Sequence, residues 1–376
     1  MKPWNIEICD VTLRDGEQTP GVSFSCEEKS DIARMLDGIG IEVIEAGFPS
    51  VSENEKHCVK TIAGLGLDSR ICCLARAKQS DVDAAIDCDV AMVSIFIATS
   101  DLHLRIKFRT KPKEQVLADT LPLIDYAHDH GLQVRFAAED ASRTDLVFLK
   151  EVYRQASAHG ADLLSFADTV GCLTPLEMHR VMSDLAATVD RPLCAHCHND
   201  MGCAVANTIT AAEAGAFQLH TTVNGIGERA GNAALEEVLI ALRMSGGVDR
   251  YDLSHLTALS KKVEQYSGIR LPRNKPVVGE LAFSHESGIH IAAILDDPHS
   301  YENFPPELVG GERRFILGKH TGKKALEFVV ASMGCELSEP QICSVLANVK
   351  KHSEQKCTIT PDVLKKMIRI AKERKD

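Results

Sequence analysis

Two histidines separated by a single residue, His196 and His198, close a short apolar, strand-like run. On an extended strand, side chains two apart leave by the same face, so both imidazoles can reach one ion. A carboxylate from Asp15 would complete a set of two histidines and one acid, with coordination positions left open for substrate oxygens. That donor set suits zinc, manganese, iron(II) or a similar divalent cation. Such an ion chelates a 2-oxo acid through its ketone and carboxylate oxygens and acts as a Lewis acid on the carbonyl. Arg14, beside Asp15, is placed to neutralise charge growing on that oxygen. The plainer alternative is a pair of histidines hydrogen-bonded in a polar strand end. The stretch Cys194-Ala195-His196-Cys197-His198 also spells the C-x-x-C-H string of c-type haem attachment, and its C-x-x-C part a redox or half zinc-ribbon pair. It ends an apolar strand instead of opening a helix, no export signal is visible, and no second C-x-x-C exists to complete a four-cysteine zinc site.

These side chains need a frame that turns several strand ends toward one place. Eight β-like segments, at 5–9, 41–46, 70–75, 90–97, 132–138, 161–167, 192–195 and 216–223, are each followed by a helix-like stretch. Ser25-Cys26-Glu27-Glu28 and Thr174-Pro175-Leu176-Glu177 are helix-opening capping boxes, the second with proline at the first helical position. Eight such units in roughly 270 residues are what a closed (β/α)8 barrel requires. A doubly wound sheet is the alternative, but no strand is followed by a G-x-G-x-x-G turn. In a barrel the site lies at the carboxyl ends of the strands, and polar residues gather there. Asp10, Arg14, Asp15, Glu17 and Gln18 follow strand one, Glu45 ends strand two, and Glu139, Asp140 and Arg143 follow strand five. Asp168-Thr169 end strand six, His196 to Asp200 strand seven, and Asn224 to Asn232 strand eight.

With 376 residues, 44% of them hydrophobic and 25% charged, the chain fits one large barrel and a smaller appendage. The net charge of −11 argues against nucleic-acid or anionic-membrane partners. The most apolar stretch, 90–98, is short and interrupted by Ser94, so no membrane span is expected. The start, Met1-Lys2-Pro3-Trp4-Asn5, lacks a secretory pattern, and a cytoplasmic protein with thirteen reduced cysteines is the expectation. After about Asp249 the pattern changes to a helix reaching Tyr266, a loop with Pro272 and Pro276, and a polar, His- and Gly-rich stretch to Gly322. Helical spacing returns at 323–333, 338–350 and 361–375. The expected architecture is therefore an α/β (β/α)8 TIM barrel over 1–270, a linker or lid over 271–322, and a small, mostly helical C-terminal subdomain over 323–376.

Asp10 to Gln18, His196 to Asp200, Asn224 to Asn232, His285-Glu286-Ser287-Gly288-Ile289-His290 and Gly318-Lys319-His320-Thr321-Gly322 resemble, in order, the motifs of the 2-isopropylmalate, homocitrate and citramalate synthases. The resemblance covers nearly the whole chain. It implies a divalent-metal barrel, with zinc, manganese or magnesium, that adds the methyl carbon of acetyl-CoA to the ketone of a 2-oxo acid and then hydrolyses the thioester. It also implies a homodimer. By the same resemblance Asp15, His196, His198 and Asn232 hold the metal. Arg14 and Thr169 hold the oxo acid, with Gln18 and Ser94 also facing it, and Glu139 and His290 serve proton abstraction or hydrolysis, His290 often from the partner subunit.

Three features bear on the oxo acid. Arg135, on the strand face of Glu139, resembles an arginine that some homocitrate synthases use on the distal carboxylate of 2-oxoglutarate; a strand-end surface charge is the other reading. Isopropylmalate synthases usually continue into an amino-acid-sensing domain, whereas this sequence stops at Asp376, which favours the homocitrate branch. Against it, Leu74 suits the branched side chain of 2-oxoisovalerate. Separately, Ser94 stands where relatives often carry His or Asp facing the substrate, which leaves the polarity of the pocket there open. A hydroxyacyl-CoA lyase on a related barrel is the reading from another class.

Overall fold

Short runs of branched and small apolar residues form eight parallel strands that close on themselves in sequence order. They are β1 (Glu7–Asp10), β2 (Val43–Glu45), β3 (Arg70–Arg76), β4 (Met92–Ala98), β5 (Gln133–Glu139), β6 (Leu163–Asp168), β7 (Leu193–Cys197) and β8 (Ala216–Thr221). The seam is a four-residue parallel ladder from Glu7↔Gln218 to Asp10↔Thr221. This computed structural model describes residues 4–373, which divide into two compact units between Leu271 and Pro272. The (β/α)8 barrel expected from the alternation is the first of them.

Strand ends differ from expectation where both faces of the chain find partners. β7 runs to Cys197, not to Ala195, because Ala167↔His196 and Asp168↔Cys197 continue its ladder with β6. His196 is thus a strand residue. Cys194 belongs to a buried cluster with Cys9, Val11, Val43, Cys72, Met92 and Leu163. Cys197, three positions on, turns the other way, toward Thr208. The two thiols of the C-x-x-C-H string lie on opposite faces of one strand, which removes the haem and redox readings. All thirteen cysteines are free.

The helices of this unit are α1 (Cys26–Ile39), α2 (Glu53–Ala63), α3 (Gln79–Asp87), α4 (Asp101–Phe108), α5 (Lys113–Asp129), α6 (Leu146–Ala158), α7 (Pro175–Ala186), α8 (Ala204–Glu213), α9 (Leu235–Gly246) and α10 (Leu256–Ser267). Both capping pairs form: Glu28 accepts from the Ser25 N–H at 2.8 Å, and Glu177 from the Thr174 N–H at 2.9 Å. Between β4 and β5 the chain makes two helices, and α4 lies next to the strand ends.

One buried cation ties the site loop to its supports. Lys29 of α1, fully buried, donates to the Leu13 carbonyl at 3.1 Å and to both Glu55 oxygens of α2 at 2.8 Å, and lies 2.7 Å from Glu17. The loop carrying Arg14 and Asp15 is thereby anchored to α1 and α2.

The second unit holds a two-stranded parallel pair, β9 (Ser284–His285) and β10 (Arg314–Phe315), with α11 (Gly288–Asp296), α12 (Lys323–Ser332), α13 (Glu339–Glu354) and α14 (Pro361–Glu373). Leu326, Val330, Val345, Val349, Leu364 and Ile368 form its core. The stretch expected as a linker or lid contains α11 and the strand pair. Met1 to Pro3, and the expected end of the last helix at 374–375, lie outside the described residues. Among those described, no helix is long and apolar enough to cross a membrane.

Removing the Lys29 charge strands two carboxylates in a largely buried place. Lys29→Met is expected to lower barrel stability by about 3 kcal/mol or more. Calorimetry checks this, and an unchanged Tm would show that Lys29 does not anchor the loop.

Candidate active site

The carboxyl ends of the strands surround a cavity of about 340 Å³ whose wall includes Arg14, Asp15, Gln18, Ser94, Arg135, Glu139, Thr169, His196 and His198. Asn232 stands behind Asp15, bonded to it. His290 belongs to the second unit, on α11, with its ring stacked on Tyr301 at 4.0 Å between centroids.

The backbone after β1 makes a tight turn in which the N–H groups of Arg14, Asp15 and Gly16 all donate to the Val11 carbonyl. This aims the Asp15 carboxylate at β7. Its Oδ2 lies 3.2 Å from His196 Nε2 and 4.0 Å from His198 Nε2, and the two Nε2 atoms are 3.2 Å apart. Ligands about 2.1 Å from a common ion lie about 3 Å apart at a right angle and about 3.4 Å apart at the tetrahedral angle. The two separations of 3.2 Å match this spacing and the third, 4.0 Å, spans a wider angle; the three donors can hold one divalent cation, and they are the one such group among the described residues. Their charge states fit too. Burial, then His196, pushes His198 down to about 4, leaving a neutral imidazole with a lone pair to give. Burial opposes ionisation of Asp15, but Arg14 and His196 outweigh it and hold the carboxyl well below the usual range.

Asn232 donates its amide to Asp15 Oδ1 at 3.2 Å and to the Ile226 carbonyl at 3.1 Å, while its buried Oδ1 has no partner among the described residues. The approach requires glycine at 227, where φ is +154° and a Cβ would fall 2.2 Å from the Asn232 amide nitrogen.

Below the three donors runs a chain of alternating charges. Arg14 reaches Asp15 at 2.8 Å and Glu45 at 2.5 Å, and Glu45 in turn pairs with Arg135. Arg135 also donates to Gln218 at 2.9 Å and Ser94 at 3.2 Å, and lies 3.0 Å from His220 Nε2. Arg135 and Glu45 are both wholly inaccessible to solvent, so Arg135 is an interior group and not a strand-end surface charge. Burial resists ionisation of Glu45, and Arg14 and Arg135 overcome it, which keeps the carboxyl below its ordinary value. Burial, with Arg135 next, holds His220 neutral.

On the opposite wall, Glu139 ends β5. Both its oxygens accept from Lys107 of α4, at 2.5 and 2.6 Å, and His103 Nδ1 lies 3.3 Å away. The Thr169 hydroxyl accepts from the Asp140 N–H at 2.9 Å, so its own proton is left to donate. Sequence reasoning missed His220 and Lys107. Gln218 and His220, two apart on β8, carry the period-two sign of an inward face. Lys107 sits on a helix following the strand end, where strand periodicity offers no signal.

Residues 5–263 match the HMGL-like family, and residues 277–357 match the homocitrate synthase post-HMGL domain-like family. The chain is 54% identical over 374 residues to homocitrate synthase AksA of Methanosarcina mazei, covering 99% of this chain and 92% of that protein. It is 49% identical over 352 residues to a probable 2-isopropylmalate synthase of Methanopyrus kandleri, covering 93% and 70%. Among solved structures, the HMG-CoA lyase of Bacillus subtilis superposes with a TM-score of 0.65 at 22% identity, over 72% of this chain and 97% of the other, a likeness of fold. With its barrel, its metal-type donor set and these matches over nearly the full length, the chain belongs to the family of 2-isopropylmalate, homocitrate and citramalate synthases.

Proposed function

We propose that this acyltransferase adds the methyl carbon of acetyl-CoA to the ketone of 2-oxoglutarate, giving homocitrate and CoA, and works as a cytoplasmic homodimer. The charge balance of the cavity carries the choice of oxo acid. Arg14 and Arg135 offset Asp15 and Glu45, so the deep polar wall is neutral before anything binds. A divalent cation leaves two positive charges, which the two carboxylates of 2-oxoglutarate match and the single carboxylate of 2-oxoisovalerate or pyruvate does not. The high identity to a protein named homocitrate synthase supports the same reading.

When bound by Asp15, His196 and His198, with Asn232 beside them, a zinc, manganese or magnesium ion supplies Lewis-acid polarisation of the ketone. Arg14 presents a fixed positive charge to the oxygen that becomes an alkoxide as the new carbon–carbon bond forms. Gln18 and the Thr169 hydroxyl hold the oxo acid near that centre, and Arg135, with Ser94, faces its distal carboxylate. A thioester methyl is a very weak carbon acid, so its proton has to be taken by a base held in position. Glu139 is that base, held in place by Lys107. After addition, water attacks the thioester carbonyl, the carbon–sulfur bond breaks, and the thiolate leaves as CoA with a proton; His290 serves as the second acid–base group.

CoA release by metal-supplemented protein is expected to be fastest with 2-oxoglutarate when 2-oxoisovalerate, pyruvate and oxaloacetate are compared side by side. Preference for 2-oxoisovalerate would overturn the charge argument and leave the family standing. His196→Ala is expected to abolish metal binding, read by elemental analysis, together with turnover; near-normal activity would remove the metal assignment. Arg135→Lys keeps the charge but loses the planar fork, and is expected to raise KM for 2-oxoglutarate about tenfold or more. An equal rise for 2-oxoisovalerate would reject a role on the distal carboxylate.

A further inference from the structure

His103, on the first turn of α4, is set against Glu139 by neighbours that leave it little freedom. The helix opens on Ser100, whose Oγ accepts from the His103 N–H at 3.2 Å and donates to Asp140 Oδ2 at 2.5 Å. Asp140 is wholly buried and follows Glu139 directly. Its backbone φ of +61°, a left-handed conformation that aspartate takes more readily than most residues, ends the extended run of β5. Its Oδ2 lies 3.8 Å from His103 Nε2, and its Oδ1 accepts from Arg143 Nε at 2.8 Å, which brings Arg143 Nη2 to 3.3 Å from the same ring nitrogen. A guanidinium only donates, so Nε2 accepts and the ring proton sits on Nδ1. That Nδ1 is buried, 3.3 Å from Glu139 Oε1, and has no hydrogen-bond partner among the described residues. A buried donor left without an acceptor costs about 1–3 kcal/mol, and such a group calls for a functional reason.

We propose that His103 is a positioning residue for the base: its Nδ1–H fixes the orientation in which the Glu139 carboxylate meets the methyl group of the thioester. This role rests on the reading of Glu139 as the base. Lys107 meets both Glu139 oxygens, but 43% of its side chain is exposed and its ammonium ends a flexible four-carbon stem. Ion pairs of that exposure contribute about 0–1 kcal/mol, too little to confine a carboxylate to one orientation. The imidazole is short, mostly buried and gripped from both sides. A small rotation of the carboxylate brings Oε1 into line with Nδ1–H, and catalytic hydrogen bonds commonly tighten in this way when substrate binds. His103 neither gives nor takes a proton in this step; it sets direction. The same network reaches Thr169, whose hydroxyl accepts from the Asp140 N–H at 2.9 Å. The base and the residue assigned to the oxo acid therefore share one frame.

The test compares His103→Leu, which keeps much of the bulk and removes the donor, with His103→Asn, whose amide can donate from near the place of Nδ1. With the preferred 2-oxo acid, kcat is expected to fall about tenfold or more in His103→Leu while KM for both substrates stays within about twofold. His103→Asn is expected to recover to within about threefold of the wild-type kcat. With methyl-deuterated acetyl-CoA, the isotope effect on kcat is expected to rise in His103→Leu, because proton removal becomes the slow step, and to return toward the wild-type value in His103→Asn. A wild-type kcat in His103→Leu would overturn the assignment. So would an equal loss in both variants with the isotope effect unchanged. Glu139→Gln separates the two readings: if it is inactive while His103→Leu is unimpaired, the role of His103 falls and Glu139 stands as the base. If Glu139→Gln turns over normally, both fall together.

Discussion

Arg135, Glu45, Arg14 and Asp15 form a line of four charges of alternating sign in the barrel interior, and the arrangement of the site depends on that alternation. An ion taken out of water at this depth is costly unless an opposite charge meets it with good geometry. Each member here neutralises its neighbour, and removing any one leaves another exposed to a medium that cannot solvate it. The line reaches from the buried Arg135 to the carboxylate that faces His196 and His198. It keeps Asp15 ionised against burial and holds the Arg14 guanidinium in one orientation, and burial with the Arg135 charge keeps the His220 imidazole neutral. The barrel supplies the rigidity that this geometry requires, because the four residues come from β2, from β5 and from the loop after β1.

Much of this was legible in the residues. The strand–helix alternation predicts the barrel, and the capping boxes at Ser25 and Thr174 mark true helix starts. His196-x-His198 and Asp15 read as one donor set because a strand's period of two is a strict geometric rule. What was not legible lies in contacts between distant elements. Nothing local in Arg135 distinguishes an interior cation from an exposed one; that follows from Glu45, Gln218 and His220, which approach it from strands far away in sequence. Lys107 was invisible for a related reason, since its role arises from α4, the first of the two helices between β4 and β5, which brings it to Glu139. The C-x-x-C-H string shows the converse: its spacing is suggestive in one dimension, and the pleat of β7 separates its two sulfurs.

Closure of the barrel has a consequence for the order of events during synthesis. The seam joins β1 to β8, the Thr12 hydroxyl accepts from the Val223 N–H at 2.8 Å, and Asp15 meets an asparagine 217 positions later. At a ribosomal rate of about 5–20 residues per second, the first strand waits on the order of ten seconds or longer for the last. Until that seam forms, the closed barrel that sets the Asp15 carboxylate against the two imidazoles is incomplete. A donor set assembled from the two ends of the barrel depends on closure of the whole fold, unlike the short local ligand spacings of small metal-folded domains.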